Sequence, residues 1–176
     1  MGVLYVLSCV VFPFILHRKK GILKEDRMIR YSIATEQDME LLMESRLEML
    51  RVVNDLPEDY EYSNELIESS REYFEKGNQT TVLAIDEKVI GCATLSYIDI
   101  MPTFSHPSGK RAHLMNVYTN SQYRRQGIAL KMLDLLVDEA RKKGVTEISL
   151  DATEMGRPLY KRYGFVESNE CMVMNL

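Results

Sequence analysis

Residues 113–131 read HLMNVYTNSQYRRQGIALK. An apolar, partly β-branched run (114–119) leads into a polar stretch (120–125), and Gly127 then opens an amphipathic segment. The run predicts a strand, the polar stretch a tight loop, and the segment after Gly127 a long helix. That order builds an anion site. The first N–H groups of a helix have no internal acceptor, and the helix dipole places partial positive charge there. Gly127 lets a ligand approach the backbone closely. Arg124 and Arg125 add charge-assisted donors suited to phosphate.

Working outward, the chain of 176 residues is long enough for one domain with a sizeable core. Its 45% hydrophobic and 27% charged content is ordinary for a soluble globular protein. A net charge of −4 gives no general electrostatic case for nucleic acid. Cys9, Cys92 and Cys171 are far apart and make no disulfide framework, so a reducing, cytoplasmic compartment is expected. With His17, His106 and His113 they form no metal-ligand spacing, and no metal is expected.

The first 27 residues differ from the rest. Residues 3–16, VLYVLSCVVFPFIL, are nearly all apolar, and HRKK follows. A bilayer span needs about 20 apolar residues, and this run is shorter and interrupted by Pro13. It has neither the basic start nor the small-residue cleavage site of a signal peptide. Residues 1–27 are therefore read as an extension outside the domain, with a helix packed on the body or a partner, or a weak membrane anchor, as alternatives. The domain is expected to span residues 28–176.

Within it, residues 28–34 read as a first strand, and Thr35 with Asp38 resembles a capping box opening a helix over 36–53. Met39, Leu42, Met43, Arg46, Leu47 and Leu50 recur at helical spacing, and the aliphatic members are expected to face the core. Residues 54–61 form an acidic, proline-bearing loop, and Ser63 caps a second helix to about residue 76. Strands over 80–86 and 89–100 predict a hairpin. The helix after Gly127 runs to about residue 143, stopped by Gly144, and a strand over 145–150 and a short helix over 154–163 follow. Residues 165–166 and 171–174 read as final strands.

Two motifs carry a resemblance. The run 124–129, Arg-Arg-Gln-Gly-Ile-Ala, resembles the Gln/Arg-x-x-Gly-x-Gly/Ala signature of the GNAT N-acetyltransferases. Downstream, DATEMGRPLYKRYGF ends in Leu-Tyr-x-x-x-Gly-Phe (159–165) and looks like a bacterial-type branch of small GNAT enzymes. The resemblance covers about residues 28–176. It implies an α/β (α+β) GNAT fold: a mixed, mostly antiparallel sheet splayed between strands 4 and 5, flanked by helices, with acetyl-CoA as cosubstrate in the gap. By similarity, the backbone around Val117, Tyr118 and Thr119 pairs with the pantetheine arm. The backbone of Arg124, Arg125, Gln126, Gly127, Ile128 and Ala129 holds the pyrophosphate. Many members pair as homodimers.

The resemblance also assigns chemistry. Tyr160 matches a tyrosine that protonates the departing thiolate, while Tyr163 reads better as packing. A phenol titrates near 10 and a thiol near 8.5, so the phenol is protonated when the sulfur needs a proton. The acceptor amine must be neutral to attack, which calls for a general base. One branch of the family carries a glutamate where this chain has His113. An imidazole suits that role, and a structural histidine is the alternative. Asp99 and Glu154 compete for it. Thr153 stands where many members have an asparagine. The resemblance implies transfer of acetyl to a primary amine by direct attack in a ternary complex, a small-molecule amine being favoured over a peptide amine. Asp55, Glu58, Asp59 and Glu61 in the acidic loop would attract a cationic acceptor or simply be solvated. Leu56, Tyr60 and Tyr62 would line an apolar part of the pocket. The alternative is a catalytically weak CoA-binding regulatory or interaction module.

Overall fold

The computed structural model describes residues 28–168 and 172–174. In chain order these form β1 (Arg30–Ile33), α1 (Met39–Val53), α2 (Asn64–Glu75), β2 (Gln79–Asp86), β3 (Lys88–Asp99), β4 (Lys110–Thr119), α3 (Ile128–Lys142), β5 (Glu147–Leu150) and α4 (Arg157–Tyr163). Single 3-10 turns at Glu36–Asp38 and Ser121–Tyr123 precede α1 and α3. The expected start signals are built. The Asp38 carboxylate accepts from both the backbone N–H and the hydroxyl of Thr35 at 2.9 Å, and Ser63 Oγ accepts from the N–H of Leu66 at 3.3 Å.

The sheet order is β1-β2-β3-β4-β5, antiparallel throughout except for the parallel pair β4–β5. Strands with both faces covered bury both sets of side chains. On one face Val82, Ala84, Ala93, Leu95, Ala112 and Leu114 pack with Ile128, Met132, Leu133 and Leu136 of α3. On the other, Leu83, Cys92 and Tyr118 pack with Leu42, Met43 and Met49 of α1 and Phe74 of α2. Each fully buried aliphatic side chain contributes roughly 1.5–3 kcal/mol, so the α3 stripe is a large share of what holds the sheet.

The β4–β5 pairing positions the site. It runs from Arg111↔Glu147 to Leu114↔Leu150 and stops. Glu147 pins this register by pairing with Arg111, and His106 Nε2 lies 3.3 Å from the same carboxylate. Residues 115–119 continue β4 with no strand beside them on that edge among the described residues. This is the expected splay, and it leaves an edge of β4 without a partner strand.

The end of the chain departs from expectation. Residues 165–168 and 172–174 are not strands, and Val166, Met172, Val173 and Met174 are exposed. The reason is local. The N–H of Phe165 is bound to Tyr160 O at 3.0 Å, Gly164 ends α4 at φ 117°, and the Phe165 ring packs against Tyr160 and Tyr163. Phe165 is thus committed to closing α4 and not to a ladder. The apolar and basic extension (1–27) and Cys171 lie outside the described residues. No described helix is long and apolar enough to cross a membrane.

Candidate active site

A bulge bends β4 where its free edge begins. Cys92 pairs with Tyr118 and Thr94 with Met115, so Asn116 and Val117 together face Ala93. Asn116 takes the left-handed conformation at φ 56°, which asparagine tolerates better than most residues. Its carbonyl accepts from the Cys92 thiol at 3.2 Å, and its amide accepts from Arg46 at 3.3 Å. The bulge resets the alternation of β4. Leu114 packs on the α3 side, Met115 and Asn116 both line a cavity on the α1/α2 side, and Val117 returns to the α3 side. Tyr118 packs on the α1/α2 side and donates to Glu48 Oε1 at 3.2 Å, so only its backbone is available at the free edge. At the end of β4 the Thr119 hydroxyl is buried with no hydrogen-bond partner among the described residues. An orphaned buried hydroxyl costs about 1–3 kcal/mol unless a ligand satisfies it.

The loop beyond β4 gathers backbone donors. Asn120 caps its 3-10 turn by accepting from the N–H of Gln122 at 3.1 Å. Arg125 and Gly127 are left-handed, at φ 64° and 81°. The first helical hydrogen bond of α3 is Lys131 N–H to Gly127 O at 3.0 Å. The N–H groups of residues 125–130 find no acceptor outside α3 among the described residues. Left-handed residues within such a loop turn successive N–H groups toward one side, an anion nest. Arg124, Arg125, Gln126 and Gly127 are exposed, and a Cβ at Gly127 would meet nothing within 4 Å. Arg124 Nε donates to Thr119 O at 3.0 Å, tying the nest to the strand end. Ile128 is buried, so its side chain anchors the helix start while its N–H faces the nest. Ala129 packs against the same core.

Tyr160 is half-buried on α4, edge-to-face with Phe165 at 5.9 Å between centroids. A Cβ on Gly156 would stand 2.9 Å from its ring, so the glycine makes room for it. Its hydroxyl has no partner among the described residues. Those of Tyr62, Tyr73, Tyr97, Tyr118, Tyr123 and Tyr163 have one, and those of Tyr31 and Tyr60 do not. Burial raises the Tyr160 phenol above its ordinary value of 10.0. Tyr163 donates to Asp134 Oδ1 at 3.1 Å and is a packing residue, as its spacing suggests.

Tyr118 and Tyr163 are both pushed up to about 12, chiefly by burial and then by the Glu48 and Asp134 carboxylates. In the unfolded chain both ionise near 10. The native state therefore holds these protons where the unfolded state has lost them. The stability they carry is whole below pH 10 and is lost as pH rises from about 10 toward 12. The melting temperature is expected to fall across that window, and to fall less steeply in Tyr118→Phe and Tyr163→Phe. Equal slopes in all three proteins would reject the assignment.

His113 lies where β4 is still paired with β5, opposite Ser149. Its Nδ1 is 3.0 Å from Ser149 Oγ and its Nε2 3.6 Å from Asp151 Oδ2. Ser149 in turn donates to Ala112 O at 3.4 Å. The two ring nitrogens thus face a hydroxyl from β5 and a carboxylate from the loop after it. The competing carboxylates are placed otherwise: Asp99 pairs with Lys110, at the opposite end of β4 from Thr119, and Glu154 is exposed in the turn before α4. Thr153 uses its hydroxyl locally, accepting from Gly156 N–H at 3.1 Å. Asp55, Glu58, Asp59 and Glu61 are all exposed. Of these only Glu58 lines a cavity described here, together with Tyr60 and Tyr62.

Several site features escape the sequence reading: the Asn116 bulge, the orphaned Thr119 hydroxyl, Ser149 and Asp151 around His113, and Arg46. Arg46 has a signal in hindsight, as the one charged residue among the apolar positions of α1.

Residues 42–165 match the acetyltransferase (GNAT) family. Among curated proteins, N-acetyltransferase 8 of Homo sapiens is 30% identical over 99 residues, 54% of this chain and 42% of that protein. The glucosamine 6-phosphate N-acetyltransferase of Trypanosoma brucei brucei is 27% identical over 89 residues, 51% of this chain and 58% of that protein. The chain thus matches about half the length of these relatives. Among solved structures, a chain from Clostridium acetobutylicum described as a predicted acetyltransferase, crystallised with acetyl-CoA, superposes with TM-score 0.75 at 30% identity. The match covers 84% of this chain and 96% of that one. The splayed sheet, the donor-rich loop at the start of α3 and these matches agree, and the chain belongs to the GNAT acetyltransferase family.

Proposed function

We propose that the protein is an acetyl-CoA-dependent N-acetyltransferase that acts on a primary amine by direct attack in a ternary complex, with a small-molecule acceptor. The observation that carries this reading is the continuity of a free strand edge (115–119) with the free N–H groups of residues 125–130. An amide-bearing arm adds to such an edge as a further strand, and a diphosphate suits the nest and helix start. The backbone of Val117, Tyr118 and Thr119 would hold the arm, and the orphaned Thr119 hydroxyl fits a ligand polar group. Arg124, Arg125, Gln126, Gly127, Ile128 and Ala129 would hold the phosphates. The bound cosubstrate supplies an activated acetyl thioester.

The chain's own residues move the protons. His113 Nε2 takes the proton of the attacking amine, and Asp151 steadies the imidazolium. As the new N–C bond forms and the C–S bond breaks, Tyr160 gives its proton to the sulfur. Small acceptors are supported by the modest cavity beside Met115 and Asn116, about 240 Å³, against about 300–1,000 Å³ for drug-sized ligands. One relative is named for a small aminosugar phosphate. We place the protein in the cytoplasm, the domain at residues 28–176, and the quaternary state as a homodimer. A thiol-release assay with acetyl-CoA across a panel of amines tests the reading. Amine-dependent release is expected; tight acetyl-CoA binding without release from any amine would instead make the protein a CoA-binding module. Fractionation of the full-length protein beside one starting at Met28 is expected to put both in the soluble fraction. Membrane recovery of the full-length protein alone would make residues 1–27 an anchor.

A further inference from the structure

We infer that Arg46 receives an anionic group of the acceptor, so that the substrate is a small primary amine that also carries a carboxylate or phosphate and an apolar body. This rests on the transferase reading above.

The cavity beside the bulge is lined by Arg46 of α1, Leu66, Ser69, Ser70, Tyr73 and Phe74 of α2, Thr94 of β3, and Met115 and Asn116 of β4. Met115 and Asn116 are the first residues of β4 beyond its pairing with β5, so the cavity borders the strand edge assigned to the thioester arm. No carboxylate lines it. Arg46 is half-buried there, and burial lowers its pKa from the ordinary value. Its one hydrogen bond is to the neutral amide oxygen of Asn116 at 3.3 Å, and no carboxylate pairs with it among the described residues. Cys92, Tyr73 and Tyr62 face it, and none of them is a carboxylate. A guanidinium carries five N–H donors and holds its proton even when desolvated. Desolvating it without a counter-ion is unfavourable, and an incoming anion reverses that penalty.

Two more donors stand beside it. The hydroxyls of Ser69 and Ser70 have no hydrogen-bond partner among the described residues, although both residues line the cavity. Leu66, Phe74 and Met115 supply apolar wall. A larger neighbouring cavity, about 460 Å³, contains Glu44, Glu48 and Glu58 and would be the natural place for a cationic acceptor. Two cations share that wall with the three carboxylates: Glu48 accepts from Arg51 at 2.8 and 2.9 Å and from Tyr118 at 3.2 Å, and Lys88 lines the same cavity. The uncompensated charge at the bulge is positive.

The test compares leucine, methionine and phenylalanine with their amides, and adds phosphoethanolamine and putrescine, by thiol release with acetyl-CoA. The free acids are expected to exceed their amides in kcat/KM by about 10–100-fold, the scale of a lost hydrogen bond to a charged group. Phosphoethanolamine in their place would identify the anion as phosphate and support the assignment equally. Arg46→Gln is expected to raise KM for the anionic amine and to level acid with amide. Arg46→Lys should recover part of the preference, and calorimetric acetyl-CoA affinity should stay unchanged in both. Equal use of acids and amides by the wild-type protein, or a preference for putrescine, would overturn the inference while leaving the transferase reading intact. A fall of Arg46→Gln on every amine alike would overturn it too. Thiol release from no amine at all would overturn the transferase reading, and the inference with it. The wild-type acid-to-amide ratio decides the matter even where Arg46→Gln does not fold.

Discussion

Gly127→Asp is expected to weaken acetyl-CoA binding by about three decades while leaving the fold nearly unchanged. The two halves have separate causes. A Cβ at Gly127 would meet nothing within 4 Å, so the new side chain enters open space. Its backbone stays at φ 81°, which costs a non-glycine residue roughly 1–2 kcal/mol and an aspartate or asparagine the least. The melting temperature should therefore drop by only a few degrees. Binding suffers differently. The new carboxylate stands at the mouth of the N–H groups of residues 125–130 and beside Arg124 and Arg125. It either repels a phosphate or pairs with the arginines that would meet one. Two unit charges about 4 Å apart near a protein surface interact by about 4 kcal/mol, which is roughly a thousandfold in affinity. Gly127→Asn isolates the charge, because it asks the same of the backbone without the carboxylate, and its affinity should fall far less. Calorimetric titration reads both. Normal affinity in Gly127→Asp would remove the nest from the cosubstrate site.

Which parts of this site can be read from sequence follows from how local their causes are. The strand, loop and helix across residues 113–131 are legible because each is announced within a few residues. The apolar run marks β4, Gly127 marks the opening of the helix, and the stripe of Ile128, Met132, Leu133 and Leu136 marks α3. The glycine that closes α4 is legible for the same reason, whereas Tyr160 stands out only through the motif it shares with the family. The bulge at Asn116 is not, because it depends on the register between β3 and β4, and a phase shift does not show in a run that is apolar on both faces. The partners of His113 arrive from β5 and the loop after it, 36 residues away for Ser149. Arg46 sits in an apolar stripe, and only the fold reveals that α2 and β4 leave a cavity there instead of a salt-bridge partner. The final strands fail in the other direction. Residues 165–166 carry strand-like side chains, but the αL cap at Gly164 and the aromatic cluster on α4 claim Phe165 first.

Tyr160→Phe is expected to lower kcat by about a hundredfold, near the lower end of what a positioned general acid contributes, with acetyl-CoA affinity within a few-fold of the wild type. The hydroxyl and the ring make separate contributions. Tyr160 packs through its ring against Phe165, and that contact survives the substitution. The hydroxyl, which makes no hydrogen bond to any described residue, contributes little to the fold, so its loss should leave the melting temperature nearly unchanged. Tyr163, by contrast, ties its hydroxyl to Asp134. Burial raises the Tyr160 phenol above 10.0, so it remains a proton donor throughout the range in which the amine is reactive. Gly156→Ala tests the same residue by position. The added methyl would stand 2.9 Å from the ring and 3.3 Å from Thr153 Oγ1, and Gly156 has an ordinary helical backbone, so the change displaces the ring without straining the chain. It should lower kcat by about tenfold, less than Tyr160→Phe because the hydroxyl is moved and not removed. Added to Tyr160→Phe, it should lower kcat little further, since two changes acting through one group do not add. An unchanged kcat in Tyr160→Phe would take the tyrosine out of the reaction. A Gly156→Ala defect that persisted undiminished on top of Tyr160→Phe would show that the glycine acts on something other than this hydroxyl.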